Sequence, residues 1–128
     1  MADELKKPGF WGKPGFWACI TLACVALVAA APLWGPGMVN TRGGGDSPFL
    51  LQRTHQMVAN LRAGVFPVRW MPDAAYGLGY PFFSYYAALP YYLAGLLALA
   101  GADLLTAVKL VQTLGFVAAA LAMYGWMH

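Results

Sequence analysis

The run PGFWACITLACVALVAAAPLWGPGMVNT, residues 14–41, holds no Asp, Glu, Lys or Arg, and its reading decides the fold. Two further stretches share that property, from Ala74 to Ala102 and from Leu110 to Met127. A helix crosses a bilayer core of about 30 Å with roughly 20 apolar residues at about 1.5 Å each. Each of the three runs supplies enough. Around them the charge is sparse: 128 residues carry eight Lys and Arg against five Asp and Glu, 10% in all. An average soluble domain carries about 25%. With 60% hydrophobic residues and a mean hydropathy of +0.56, the chain cannot coat a water-soluble globule, and it is too apolar for a disordered one. These numbers predict an all-α membrane protein with about three transmembrane helices and an amphipathic surface helix in the first long loop.

The net charge of +3 does not mark a nucleic-acid binder. Lys6, Lys7 and Lys13 belong to the N-terminus, and Arg42, Arg53, Arg62 and Arg69 are spread along a loop without forming a basic stripe. Residues 1–15 form a turn-rich tail in which Lys7-Pro8-Gly9-Phe10-Trp11-Gly12 is repeated as Lys13-Pro14-Gly15-Phe16-Trp17-Ala18. Lys at headgroups and Phe and Trp at the interface suit membrane anchoring. The first span is expected over 16–34. Ala29-Ala30-Ala31 resembles a cleavage site, but Pro32 hinders cleavage, so a retained signal anchor is expected. Cys19 and Cys24 stand about 140° apart on that helix and read as small apolar residues rather than a pair.

An extracytoplasmic loop follows over 35–81. Within it Ser47-Pro48 opens a helix expected over 47–63, with Asp46 or Ser47 as N-cap and Gly64 as its stop. Leu50, Leu51, Met57, Val58 and Leu61 fall on one side of it, and Gln52, Arg53, His55, Gln56, Asn60 and Arg62 on the other. Such a helix would lie on the membrane with its apolar face down. Tyr80, Phe82, Phe83, Tyr85, Tyr86, Tyr91 and Tyr92 then crowd where the chain returns to the bilayer. The second span is expected over 82–100 with a kink at Pro90, and the third over 104–127 after a Gly101-Ala102-Asp103 turn with Asp103 as N-cap. The lysines near the first helix place the N-terminus in the cytoplasm, the Asp46 loop outside, the Asp103 turn inside and His128 outside, in the plasma membrane.

No HExxH, CxxC or Ser/His/Asp set is present. His55 stands alone on a polar helix face, where solvation is its ordinary role. Asp46 has two readings, a helix cap worth about 1 kcal/mol or a carboxylate able to take a proton or a divalent cation.

The order of Asp46-Ser47-Pro48, Arg53-Thr54-His55, Gly64-Val65-Phe66-Pro67-Val68-Arg69-Trp70-Met71-Pro72-Asp73 and Gly77-Leu78-Gly79-Tyr80-Pro81-Phe82-Phe83-Ser84-Tyr85-Tyr86, with Leu89-Pro90-Tyr91-Tyr92-Leu93, resembles the N-terminal part of large bacterial polytopic membrane proteins. These are often labelled 6-pyruvoyl-tetrahydropterin synthase-related and are similar to GT-C glycosyltransferases. The resemblance covers roughly Gly43 to Trp126. It implies transfer of a sugar from a polyprenyl-phosphate donor at the outer face. It also implies that Asp46 is the catalytic base or metal-binding carboxylate, with Mg or Mn as the cation. Arg53, His55, Arg69 and Asp73 become substrate-binding candidates. Two departures stand out: Val68 separates Pro67 from Arg69 where relatives often read Pro-Arg-Trp directly, and His55 lies far along the helix for a tight pair with Asp46. Three helices do not enclose a site for lipid donor and acceptor, so the chain is expected to be a segment of such an enzyme, inactive alone.

The alternative is a non-catalytic three-span subunit packing in a larger membrane complex. Ala26, Ala29, Ala30, Gly115, Ala118, Ala119 and Ala120 would permit close helix approach. A transporter is the third possibility, with Lys109 the only ionisable residue in an expected span.

Overall fold

The computed structural model describes residues 14–38 and 47–127, and their regular elements are all helical. In order they are α1 (Pro14–Ala30) with a 3-10 turn at Ala31–Trp34, α2 (Ser47–Arg62), a 3-10 turn at Ala75–Gly77, α3 (Phe82–Tyr85), α4 (Leu89–Leu99) and α5 (Leu104–Met127). Extended pairing among the described residues is confined to one antiparallel bridge, Met71 with Tyr80. Two helical stretches are long and apolar enough to cross a membrane, Gly15–Trp34 and Leu104–Met127. The tail's lysines, Asp46 and His128 lie outside the described residues.

The chain divides into two units. The first joins α1, through Ala31, to the part of α5 from Thr113 onward. Pro14 opens α1 at a position where its missing N–H costs nothing. Pro32 has no N–H to offer the carbonyl of Val28, and the chain tightens into the 3-10 turn there. Both helices are mostly apolar on every side here, with Trp17, Val25, Leu27 and Val28 exposed on α1 and Leu114, Phe116, Met123 and Trp126 on α5. A Cβ on Gly15 would stand 3.4 Å from the Tyr124 hydroxyl, so the start of α1 lies against the end of α5. Cys19 and Cys24 are both free.

The second unit runs from Pro32 to Gln112. The helix expected after Ser47 is present, and it stops as its sequence dictates. Gly64 takes φ +76°, the Gly64 N–H bonds to the Leu61 carbonyl at 3.1 Å, and the Val65 N–H bonds to the Asn60 carbonyl at 3.0 Å. That pair of bonds is the Schellman arrangement. The side of α2 expected to lie on the bilayer is occupied by α4 instead. Met57 and Val58 are buried, and a Cβ on Gly95 of α4 would meet Met57 Cγ at 3.2 Å and Leu61 Cδ1 at 3.5 Å. Gly95 is what lets the two helices close.

The stretch 82–100, expected as one span, is two helices. α3 ends after four residues because Tyr86 turns extended (ψ 157°), and α4 restarts at Leu89 with Pro90 in its first turn. Pro90 cannot donate a bond to Tyr86, so a helix running through is interrupted there. The 11 residues of α4 reach about 16 Å at 1.5 Å per residue, half a bilayer core. At its end Gly101 (φ +106°) and the bonds Gly101 N–H to Ala98 O and Ala102 N–H to Leu97 O make a second Schellman stop. Asp103 Oδ2 then accepts from the N–H groups of Leu105 (3.1 Å) and Thr106 (3.3 Å), the expected N-cap of α5. Ala94, Ala107 and Val108 form the buried seam of this α4–α5 hairpin, with Leu50 and Leu51 of α2 against it.

Candidate functional site

The second unit gathers the residues that carry the sequence motifs on one face of α2. Gln56, buried there, donates from Nε2 to Asp73 Oδ2 at 2.7 Å and accepts the Asp73 N–H at 3.2 Å through Oε1. One turn later Asn60 Nδ2 donates to the Trp70 carbonyl at 3.1 Å and to the Gln56 carbonyl at 2.8 Å. Two side-chain amides of a helix thus replace the backbone partners that an irregular 65–81 segment lacks. The Tyr92 hydroxyl of α4 accepts the Val68 N–H at 2.6 Å, and the Phe66–Pro67 peptide is cis.

Beyond Met71 the loop is closed by two bridge bonds, Met71 N–H to Tyr80 O at 2.8 Å and Tyr80 N–H to Met71 O at 3.0 Å. Its tip is wound left-handed, with φ +51° at Ala75, +59° at Tyr76 and +86° at Gly77. Ala and Tyr in that region cost about 1–3 kcal/mol each, a strain that persists where surrounding structure over-determines it. The Gln56 clamp and the bridge do so. Tyr76 and Leu78 project into the open, and Gly79 (φ +81°) leaves the space that the Trp70 indole fills.

Between this loop and α2 lies a cavity of about 210 Å³, whose lining includes Phe49, Gln52, Arg53, Ala75, Tyr80 and Phe82. Arg53 is half-buried, its guanidinium carbon 4.3 Å from the centroid of the Phe82 ring and 5.8 Å from that of Phe49. Phe82 is itself fixed, stacked on Tyr86 at 4.5 Å and edge-on to Tyr91 at 5.7 Å.

Of the sequence candidates, the structure brings Arg53 to the cavity and Asp73 beside it, joined to Gln56. His55 is exposed on another side of α2, and Arg69 is exposed on the loop. Asp46 lies outside the described residues. Among the described residues no three His, Cys, Asp or Glu side chains form a metal-holding group. Asp73 has one oxygen taken by Gln56 and, among the described residues, no group of carboxylates to complete a cation site.

Four contributors escaped the sequence reading. Gln56 and Asn60 sit four apart, which puts them on one strip of α2, but their hydrogen-bond partners are distant in sequence. Phe82 looked like one interfacial aromatic among many. Lys109, the ionisable residue of the third expected span, is buried, and its Nζ donates to the Gly35 carbonyl at 2.7 Å beside a cavity of about 40 Å³ that Ser47 and Gln112 also line. No family model, curated protein or solved structure matches the chain.

Proposed function

We propose that this chain is an integral membrane protein of GT-C-like type, whose 47–82 region handles a sugar carried on a polyprenyl phosphate at the outer membrane face. What supports the membrane location is the largely apolar surface of α1 and α5. Water would not tolerate so many exposed Val, Leu, Phe and Trp side chains on two adjoining helices. The reading takes two spans rather than three. α4 is too short to cross, and the Lys109–Gly35 bond holds the second turn of α5 beside the chain just past the first span. Lys6, Lys7 and Lys13 then keep the N-terminus cytoplasmic, the far end of α5 returns to that side, and the Asp103 turn faces outward with the loop.

The observation that carries the functional reading is convergence. Of the residues that carry the resemblance to GT-C enzymes, Trp70 and Asp73 are bonded to Asn60 and Gln56 of α2, Gly79 packs under Trp70, and Tyr80 and Phe82 line the Arg53 cavity, although nothing local in sequence requires it. Asp46 retains its proposed role as base toward the acceptor, and Asp46→Asn should abolish sugar transfer in the working enzyme while leaving membrane insertion intact. Transfer needs walls that exclude water and position both substrates, so turnover is assigned to a larger assembly and substrate handling to this region. The test is a photoreactive polyprenyl-phosphate sugar applied to membranes holding the protein. Cross-links within 47–82 that excess unlabelled donor removes are expected; labelling spread over α1 and α5 alone, or unaffected by competitor, would overturn the reading.

A second reading, a subunit that packs on other membrane helices, is favoured by one feature. Gly115 and Gly125 of α5 have open space where a Cβ would stand, and Ala118 and Ala119 beside them are exposed. Such a strip accepts a close-packed partner helix. Gly115→Leu should then release a co-purifying membrane protein without changing donor cross-linking.

A further inference from the structure

We infer that the Arg53 cavity is a phosphate site and that Arg53 is the group which grips the phosphate, an assignment that rests on the lipid-linked-sugar reading and narrows it to one side chain. Of the arginines among the described residues, Arg62 and Arg69 are exposed, whereas Arg53 is half-buried and lines this cavity. Its guanidinium carbon lies 4.3 Å from the centroid of the Phe82 ring, and the N–H donors of the group lie along its planar edge. Among the described residues that edge has no carboxylate. Asp73, the nearest acid along the loop, is engaged by Gln56. A half-buried cation without a counter-charge is costly, and an anion entering the cavity relieves that cost.

The surroundings select the anion. A guanidinium edge presents parallel donors that match two oxygens of a phosphate, and the Gln52 amide on the same wall adds a donor. Phe49, Tyr80 and Phe82 make the remaining wall largely aromatic, suited to a phosphate that carries an apolar or ring-shaped substituent. Ala75 lines the cavity in a left-handed conformation that the Gln56–Asp73 clamp and the Met71–Tyr80 bridge enforce. Strain of this kind is held where a ligand is received. Phosphate could arrive on a lipid or free in solution; the shared chemistry is the phosphate group, and the probes separate the two.

The experiment uses the whole chain in nanodiscs and calorimetric titration with three probes: a fifteen-carbon prenyl phosphate, the corresponding prenyl alcohol and inorganic phosphate. The prenyl phosphate is expected to bind at least tenfold tighter than the alcohol. Arg53→Gln should remove most of that preference, Arg53→Lys should keep part of it through charge alone, and Arg62→Gln should leave it unchanged. Equal affinity for inorganic phosphate would make the natural ligand a free phosphate and still uphold the site. Unaltered phosphate preference in Arg53→Gln, or alcohol binding as tight as phosphate, would overturn it. Should Arg53→Gln fail to insert, Phe82→Leu keeps an apolar neighbour, removes the ring that orients the guanidinium, and must weaken phosphate binding severalfold. Sugar transfer is not measured in any arm. A phosphate site in a protein that never meets a lipid-linked sugar would therefore sink the functional reading and leave this one standing.

Discussion

Gln56 and Asp73 are joined by two hydrogen bonds across 17 positions of sequence, Nε2 to carboxylate at 2.7 Å and backbone N–H to Oε1 at 3.2 Å. The pair converts a proline-interrupted loop into a fixed wall of the Arg53 cavity. One bond is charge-assisted, and the buried amide has no water to fall back on. Gln56→Leu should therefore destabilise the protein by about 2–3 kcal/mol, with the loss concentrated in hydrogen-exchange protection of residues 70–80. Protection there equal to wild type would show that the bridge alone holds the loop.

Gly77 and Gly79 make a matched pair for testing the tip. Both have positive φ, +86° and +81°, but a Cβ on Gly77 meets nothing within 4 Å whereas one on Gly79 runs into the Trp70 indole. Gly77→Ala should cost about 1 kcal/mol through backbone strain alone. Gly79→Ala should cost roughly 2–4 kcal/mol, because the indole must swing away as well, and should red-shift the Trp emission. Equal thermal shifts for the two variants would remove Trp70 from the account.

The contact of α2 with α4 is graded by Gly95. Ala there gains about 1 kcal/mol of helix propensity and must displace Met57 Cγ, 3.2 Å from the new Cβ, by a few tenths of an ångström. Met is the most adaptable of core side chains, so Gly95→Ala should be within about 1 kcal/mol of wild type. Gly95→Leu should cost roughly 1–3 kcal/mol or more, since Leu61 and Val58 close the remaining space. Denaturant midpoints in detergent would rank the three proteins.

How far the sequence carried the fold follows from what each signal measures. Charge-free length found the first apolar helix to within two residues and the body of α5, and the Asp103 cap set the start of α5 at Leu104, because a candidate span and an apolar helix ask for the same composition. Caps and stops were local, so Gly64, Gly101 and Asp103 were legible. Composition alone could not see that Tyr86 turns extended ahead of Pro90, and 82–100 read as one helix. Periodicity sorted α2 into an apolar and a polar side and placed Gln56 on the polar one. It is 3% exposed because its partner comes from a segment without periodicity. Arg53 was one of four loop arginines in the sequence, and the Phe82 ring beneath it is what singles it out.

The last prediction concerns topology. With three spans, the exposed end of α2 and the α4–α5 turn would lie on opposite sides of the membrane; with two, they share a side. The case for two rests on lengths and one bond. α4 reaches about 16 Å against a core of about 30 Å, and stretching the span to include α3 must carry the chain through the extended Tyr86 and past Pro90, with backbone groups unpaired in lipid. Lys109 Nζ meets the Gly35 carbonyl at 2.7 Å, so the opening turns of α5 stand where the first span has just ended. A charge on Lys109 is also far easier to hold at that level than in mid-bilayer. In a background with Cys19 and Cys24 replaced by Ala, Arg62→Cys and Ala100→Cys, both at exposed positions, should react with a membrane-impermeant maleimide from the same side of sealed vesicles. Labelling of the two from opposite sides would restore the three-span arrangement and place α4 inside the bilayer.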